Sequence, residues 1–468
     1  MRGRIGDNRR VEWRRLPRRV LDRLRQGDLF ATRGVPRRYH QGMKYYWLDG
    51  VLSSSSVAFY FNYIPLYALA LGASRTQIGW LSSAASLLGM LAPLPGAAVS
   101  RRIGKRKAMV VVFSMLFRSM LLLAALMPLV LSGQAAVYAF IGIMALRVGF
   151  MSFFHPAWVS LTGDILPERN RGRFFASRNT VMSLASMLFV PIAGSLIDWA
   201  GEPRGYQLSF VIAAVLGYAA SFTFSKIPEP ASREAHPSED RLAFWKALTG
   251  NRVFLFYLGA RFFWNFVLQL ASPYFRVYQV EVLESSARLV GILVTVTSLS
   301  GLIGQRFWGR MLDHRGARWV MGVCTLLIPS TPFIWIAIRE PWQVVFVSLV
   351  GGFLWAGFNL SALNLLLELP DPAHHTQSAA AHSVAVYLAN ILAPLVGTAL
   401  IDSVGYHWNF AVSGVGRMIG AILFVLLLRP FNRRTDSRTR GGDEEMMALD
   451  RRDDTEPSTA SGTTSDGS

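Results

Sequence analysis

Apolar runs long enough to cross a bilayer recur from one end of this chain to the other. A helix needs about 20 mostly apolar residues to span the hydrocarbon core. AMVVVFSMLFRSMLLLAALMPLVL at 108–131 and HWNFAVSGVGRMIGAILFVLLL at 407–428 meet that length. Ten further stretches bring the expected total to twelve: 47–71, 76–99, 134–163, 174–198, 205–226, 252–280, 288–311, 319–338, 342–368 and 377–402. No water-soluble core hides so many, and in lipid each segment must satisfy its own backbone hydrogen bonds, so the fold expected is an all-α membrane protein. Composition agrees: 16% of the residues are charged, against about a quarter in soluble domains. A soluble enzyme, a disulfide-rich secreted domain and a disordered chain are thereby excluded as the main class. The single cysteine, Cys324, lies inside an apolar run and reads as a small packing residue. Prolines inside the runs (Pro65, Pro93, Pro95, Pro156, Pro191, Pro394) read as kinks.

The net charge of +19 has two competing sources, a nucleic-acid surface or basic loops beside a membrane. Its distribution favours the loops. Residues 1–45 carry 14 Lys and Arg against 4 acids and contain no apolar stretch of signal-peptide length. RRIGKRK (101–107), PERNRGR (167–173) and DHRGAR (313–318) supply further basic clusters. With twelve spans all of these fall on one side, which places both termini in the cytoplasm and the protein in the plasma membrane. The N-terminal segment is expected to touch anionic lipid, not nucleic acid. The chain then divides into a basic segment (1–45), six spans (46–226), a polar linker (227–251), six spans (252–428) and an acidic, low-hydrophobicity tail (429–468).

The two six-span halves repeat one another. Gly79 and Gly104 bracket span 2; Gly291 and Gly316 bracket span 8, each 212 residues later. Leu166-Pro167, Pro191 and Gly194 recur 203 residues on as Leu369-Pro370, Pro394 and Gly397. After span 8 stands Gly309-Arg-Met-Leu-Asp313-His-Arg315-Gly316-Ala-Arg318. This resembles the G-x-x-x-D-R-x-G-R-R loop of the major facilitator superfamily. The first-half equivalent, AAVSRRIGKRK, keeps Gly104 but has Ala97 at the first glycine and Arg101 where the acid belongs. The resemblance covers residues 45–428 and implies two six-helix bundles related by a pseudo-two-fold axis, acting as a monomer. It also implies that the loop latches one half to the other in the outward-facing state, with Asp313 near the start of span 5 and Arg173 or Arg178 as its partner. Val190-Pro191-Ile-Ala-Gly194-Ser195 is similar to part of a drug–proton antiporter pattern, without its first and last glycines; a kink with a small-residue packing face explains it as well.

By the same resemblance spans 1, 4, 7 and 10 line a central cavity. Charged side chains deep in a span cost at least about 2.5 kcal/mol at the helix centre, so they are paired or functional. Arg261, Asn265 and Gln269 recur every fourth residue on span 7 and share one face; they line a ligand cavity or bond to a neighbouring helix. Arg147 and His155 on span 4, Asn359 on span 10, and Asn62 and Tyr60 on span 1 complete the cavity candidates. Arg118, on span 3, reads as a structural pairing. Acids are scarce: Asp49, Asp164 and Glu368 all sit toward expected cytoplasmic ends. Asp49 and His155 are the proton-coupling candidates, while an arginine-bearing cavity favours anionic or polar neutral solutes.

No P-loop, H-E-x-x-H, C-x-x-C or G-x-S-x-G sequence is present. His374-His375 lacks further ligands, so no metal or other cofactor is expected. The function expected is secondary-active transport of a small solute by alternating access, with a proton or ion gradient as the candidate driving force. The alternatives are a drug–proton antiporter and, in another class, a non-transporting membrane sensor or scaffold.

Overall fold

The computed structural model describes residues 30, 32, 35–166, 171–228, 252–368 and 375–423. Most of the expected basic segment, nearly all of the linker, and the tail lie outside the described residues. Within them the chain folds into two bundles of six helices, the all-α two-bundle membrane fold expected from the repeat. The face at which span 1 begins is here the near face, and the other the far face.

Span 1 is Arg37–Tyr60, a 3-10 turn at Phe61–Tyr63, and Ile64–Ala70. It starts ten residues before the apolar run because RRYHQGMKYYW is amphipathic. Met43, Tyr46 and Trp47 from this extension are buried against a cluster containing Leu161, Ile165, Phe174 and Phe224. The expected boundary at residue 45 therefore falls inside a helix. Span 2 is Arg75–Leu91 continued, across the kink before Pro93, by Pro93–Ile103. Arg106–Leu126, Gly133–Ile165, Arg171–Ala200 and Arg204–Ser225 complete the first bundle. The second bundle begins with Arg252–Glu281 and then Ala287–Leu327, which breaks at Gly316 into spans 8 and 9. Ser330–Ala337 finishes span 9; Val344–Glu368, His375–Val404 and 406–423 follow.

Eight of the described segments are long and apolar enough to cross a membrane by length and composition alone. Twelve were expected; the described part of span 12 ends at residue 423, and the rest of the shortfall has physical causes. One 51-residue segment merges spans 8 and 9 across Gly316. Span 1 carries the run Ser53–Ser56, and span 7 carries Arg261, Asn265, Gln269 and Arg276. The helices poorest in apolar character are thus ones whose polar side chains point inward.

The turn glycines behave as the repeat predicts. Gly104 has φ 67° and Gly316 φ 79°, left-handed values at the two equivalent near-face turns. A Cβ at either would meet open space, so the requirement there is conformational, not steric.

The apolar core has a telling division. One cluster toward the far face combines both halves, joining Tyr63, Tyr67, Val190 and Phe210 to Tyr274, Val277, Val290 and Phe410. Toward the near face the halves have separate cores, one around Tyr46 and Phe174 and another around Trp264, Trp308 and Cys324. Hydrogen bonds follow the same division: the Ser83 hydroxyl donates to the Ile391 carbonyl (2.7 Å) and that of Thr295 to Met187 (3.1 Å). The halves are fused at the far face and diverge toward the near face.

Candidate solute cavity

The divergence leaves two adjoining cavities. One, of about 330 Å³, is lined by Arg261, Asn265, Gln269 and Ser272 of span 7, Trp355, Phe358 and Asn359 of span 10, and Asn390 of span 11. The other, of about 310 Å³, lies between the halves and is lined by Ser183, Ser186 and Met187 of span 5, Thr297, Ser298 and Gln305 of span 8, and again Trp355 and Asn359. Span 10 therefore serves as a shared wall.

The i, i+4 spacing on span 7 brings Arg261, Asn265 and Gln269 to the same cavity. The Arg261 Nε–H donates toward His382 Nε2 (3.4 Å), and its guanidinium lies 5.8 Å from the Phe358 ring centre. Asn265 donates Nδ2–H to the Arg261 carbonyl (2.8 Å). Gln269, Asn359 and Asn390 make no side-chain hydrogen bond among the described residues. Gln269 and Asn390 are half-buried and Asn359 is exposed, so each amide, with two donors and an acceptor, is open to water. Three of them on three different helices around one space mark a surface made for water or a polar solute.

The first bundle treats its charges differently. Arg147, expected in the cavity, is 5% exposed and packed inside the bundle. Its guanidinium donates to the Tyr60 hydroxyl and lies against the rings of Tyr60 (4.1 Å) and Phe117 (4.2 Å). Tyr60 is buried with it. His155, by contrast, is exposed and stacks on Trp158. The two are eight residues apart on one helix, the same spacing as Arg261 and Gln269, but one is buried in the bundle and the other exposed. Asn62 is half-buried and lines neither cavity. Arg118 donates to Ser53 (2.8 Å) and Ser56 (3.3 Å), both on span 1.

Asp49 lies well inside the span 1 helix, buried, with Arg178 Nη2 3.7 Å from its carboxylate. Arg178 also donates Nε–H to the Tyr46 carbonyl (3.1 Å) and stacks on that ring (4.5 Å). Here Arg178 is engaged by Asp49; the contact of Arg173 or Arg178 with Asp313 is one the resemblance implies for the outward-facing state. Asp313 is exposed, without an ion pair among the described residues, and Arg315 lies over the Trp319 ring (4.7 Å). Arg318 is half-buried, and the Gly309 helix position flanks Leu360. The side chains of Arg101, Asp164 and Glu368 lie outside the described residues, as does His374.

Sequence reading missed Arg417, which is 2% exposed inside the second bundle. It donates to Thr331 Oγ1 and to the Leu268 carbonyl, both at 3.3 Å. It also missed Asn390 and Trp355 of the cavity, and His382 beside Arg261. Arg417 carried a legible signal, a charge in the middle of a span; the others sit in ordinary apolar context.

Two helical bundles fused at one face, with a polar cavity between and beside them, define a membrane transporter of the two-bundle class. The chain belongs to the Major Facilitator Superfamily: the family model matches residues 47–289 and again 280–460, once per half. It is a transporter family, so the protein is not an enzyme. It is 24% identical over 419 residues to the multidrug resistance protein MdtG of Salmonella paratyphi C, covering 83% of this chain and 95% of that one. It is 22% identical over 275 residues to the probable galactarate/D-glucarate transporter GarP of Escherichia coli K12, covering 52% and 59%. Among solved structures, the nucleoside transporter NupG superposes with a TM-score of 0.67 at 13% identity, over 82% of this chain and 99% of that one.

Proposed function

We propose that the chain moves a small polar solute, neutral or anionic, across the cell membrane by alternating access. The solute sits on the second bundle between Arg261, Asn265, Gln269, Asn359 and Asn390. The observation that carries this reading is the trio of unpartnered amides, Gln269, Asn359 and Asn390, beside the Arg261 cation. With the basic loops cytoplasmic, the near face is the cytoplasmic one, and the conformation is open inward. The protein works as a monomer, its basic N-terminal segment against anionic lipid. The Asp313–Arg318 loop engages when the near face closes. A thermal-shift screen of the purified protein against metabolites and drugs tests the site. A hit whose shift disappears in Arg261→Ala and Asn359→Ala supports it; a hit indifferent to both removes the cavity from consideration.

The likeness to MdtG supports a second reading, proton-driven drug efflux. Asp49 and His155 are its proton-site candidates, and Asp49 is a buried carboxylate of the kind such coupling uses. An imposed pH gradient that fails to drive dye efflux from proteoliposomes counts against it.

A further inference from the structure

The far-face closure is built twice, from related sequences that differ by one inserted residue. Span 5 ends in Gly194-Ser-Leu-Ile-Asp198 and span 11 in Gly397-Thr-Ala-Leu-Ile-Asp402. Spans 8 and 2, which these meet, begin with Ser286 and Ser74 as N-caps, 212 residues apart. A carboxylate in the last turn of its own helix is opposed by that helix's dipole, so the position of each acid is explained by what it faces.

Asp198 faces the N-terminus of span 8. Its two oxygens accept from the backbone N–H groups of Ala287 (2.9 Å) and Arg288 (3.0 Å). Ser286 Oγ accepts from Leu289 N–H (3.2 Å), and the Ser286 carbonyl from Val290 N–H (3.1 Å). Three of the donors that a helix start leaves without intrahelical partners, at 287–289, are therefore satisfied, two of them by the other half of the molecule. Gly194 makes the approach possible: a Cβ there would collide with the Ala287 backbone. At the second copy Asp402 accepts from the Thr76 hydroxyl (3.3 Å), and Thr76 is the repeat equivalent of Arg288. Gly79 supplies the close approach, with Thr398 and Tyr274 where its Cβ would be. Alongside, Arg75 pairs with Glu281 (3.0 Å), which also accepts from the Tyr406 hydroxyl (2.7 Å).

We propose that Asp198 and Asp402 are paired catches that hold the far face shut, each borne by one half and seated on the first turn of a helix in the other. Asp198 is the stronger catch because it engages two backbone donors; Asp402 engages one hydroxyl. Both lie at the membrane edge, where water can replace the lost contacts when the halves part, so the catches bias the resting state without making it permanent. They stand on the opposite side of the membrane from the Asp313 loop and act in the opposite sense.

The test is a distance measurement between spin labels at Val130→Cys and Trp342→Cys, exposed far-face positions on the two halves, in a Cys324→Ser background reconstituted in lipid nanodiscs. The parent protein gives a dominant short distance. Asp198→Ala raises the ratio of the long-distance to the short-distance population on the order of tenfold, Asp402→Ala raises it less, and the double variant raises it most. Asp198→Asn keeps the shape of the side chain and guards against a folding defect; it gives an intermediate rise. Distance distributions identical to the parent in both Asp198→Asn and the helical, monodisperse Asp198→Ala overturn the proposal. That result leaves the cavity reading standing, because ligand-induced thermal shifts do not depend on how the far face is held.

Discussion

The two halves are copies of one plan, yet they place their polar side chains oppositely. In the first bundle Asp49, Arg118, Arg147 and Arg178 turn into the helix packing and are bound there by Ser53, Ser56, Tyr60 and the Tyr46 carbonyl. In the second, Arg417 is buried and bonded in the same way, but Arg261 and four carboxamides line a cavity, and three of those amides make no side-chain hydrogen bond among the described residues. A buried charge with its partners in place holds helices in register; an amide facing a cavity keeps its hydrogen bonds for something that comes and goes. The first bundle is thus built as a rigid body and the second as the one that holds the solute.

If that division is right, charge removal in the first bundle costs stability and spares binding. The largest effect falls on Asp49→Ala, which leaves the Arg178 cation buried without its acid: a loss of about 3–5 kcal/mol is expected, read by thermal unfolding in detergent. Asp49→Ala with Arg178→Met should recover much of it, since an apolar pair of similar volume avoids the buried charge. A stable Asp49→Ala protein would mean that water reaches the pair, and the rigid-body view would fail.

Arg147→Ala comes next. It removes a guanidinium packed between two rings and opens a void beside Phe117; about 2–3 kcal/mol is expected to be lost. Affinity for any ligand found by thermal shift should stay within twofold. A large affinity loss with little change in stability would return Arg147 to the cavity and erase the contrast between the halves.

The sequence foretold the spans, the six-plus-six repeat and the near-face turn glycines, because these rest on local properties: apolar length, spacing along one chain and a left-handed φ. It placed Arg261, Asn265 and Gln269 correctly with respect to one another, since i, i+4 neighbours share a face whatever surrounds the helix. It misplaced Arg147 because which face of span 4 meets spans 1 and 3 is a tertiary fact. The pairing of Asp49 with Arg178, 129 residues apart, and the seat of Asp198 on span 8 required the packed bundles to become visible. Asp313 depended on conformation: a loop that latches one state is idle in the other.

The smallest effects lie in the cavity and the turns, and they bear most directly on the contrast. Gln269→Ala, Asn359→Ala and Asn390→Ala remove amides that make no side-chain hydrogen bond among the described residues, so each should leave stability unchanged to within about 0.5 kcal/mol. Each should weaken the binding of a hydrogen-bonding solute about tenfold, as expected for one lost bond of roughly 1–1.5 kcal/mol. Gly316→Ala sets the scale for a purely structural change nearby, costing about 1–3 kcal/mol for a backbone conformation (φ 79°, ψ 163°) that suits only glycine, with no change in affinity. The comparison turns on the ratio: cavity variants move affinity and not stability, and the turn variant the reverse. An amide whose loss destabilises the protein as much as Gly316→Ala does would be a helix–helix tie, and the second bundle would then differ from the first only in degree.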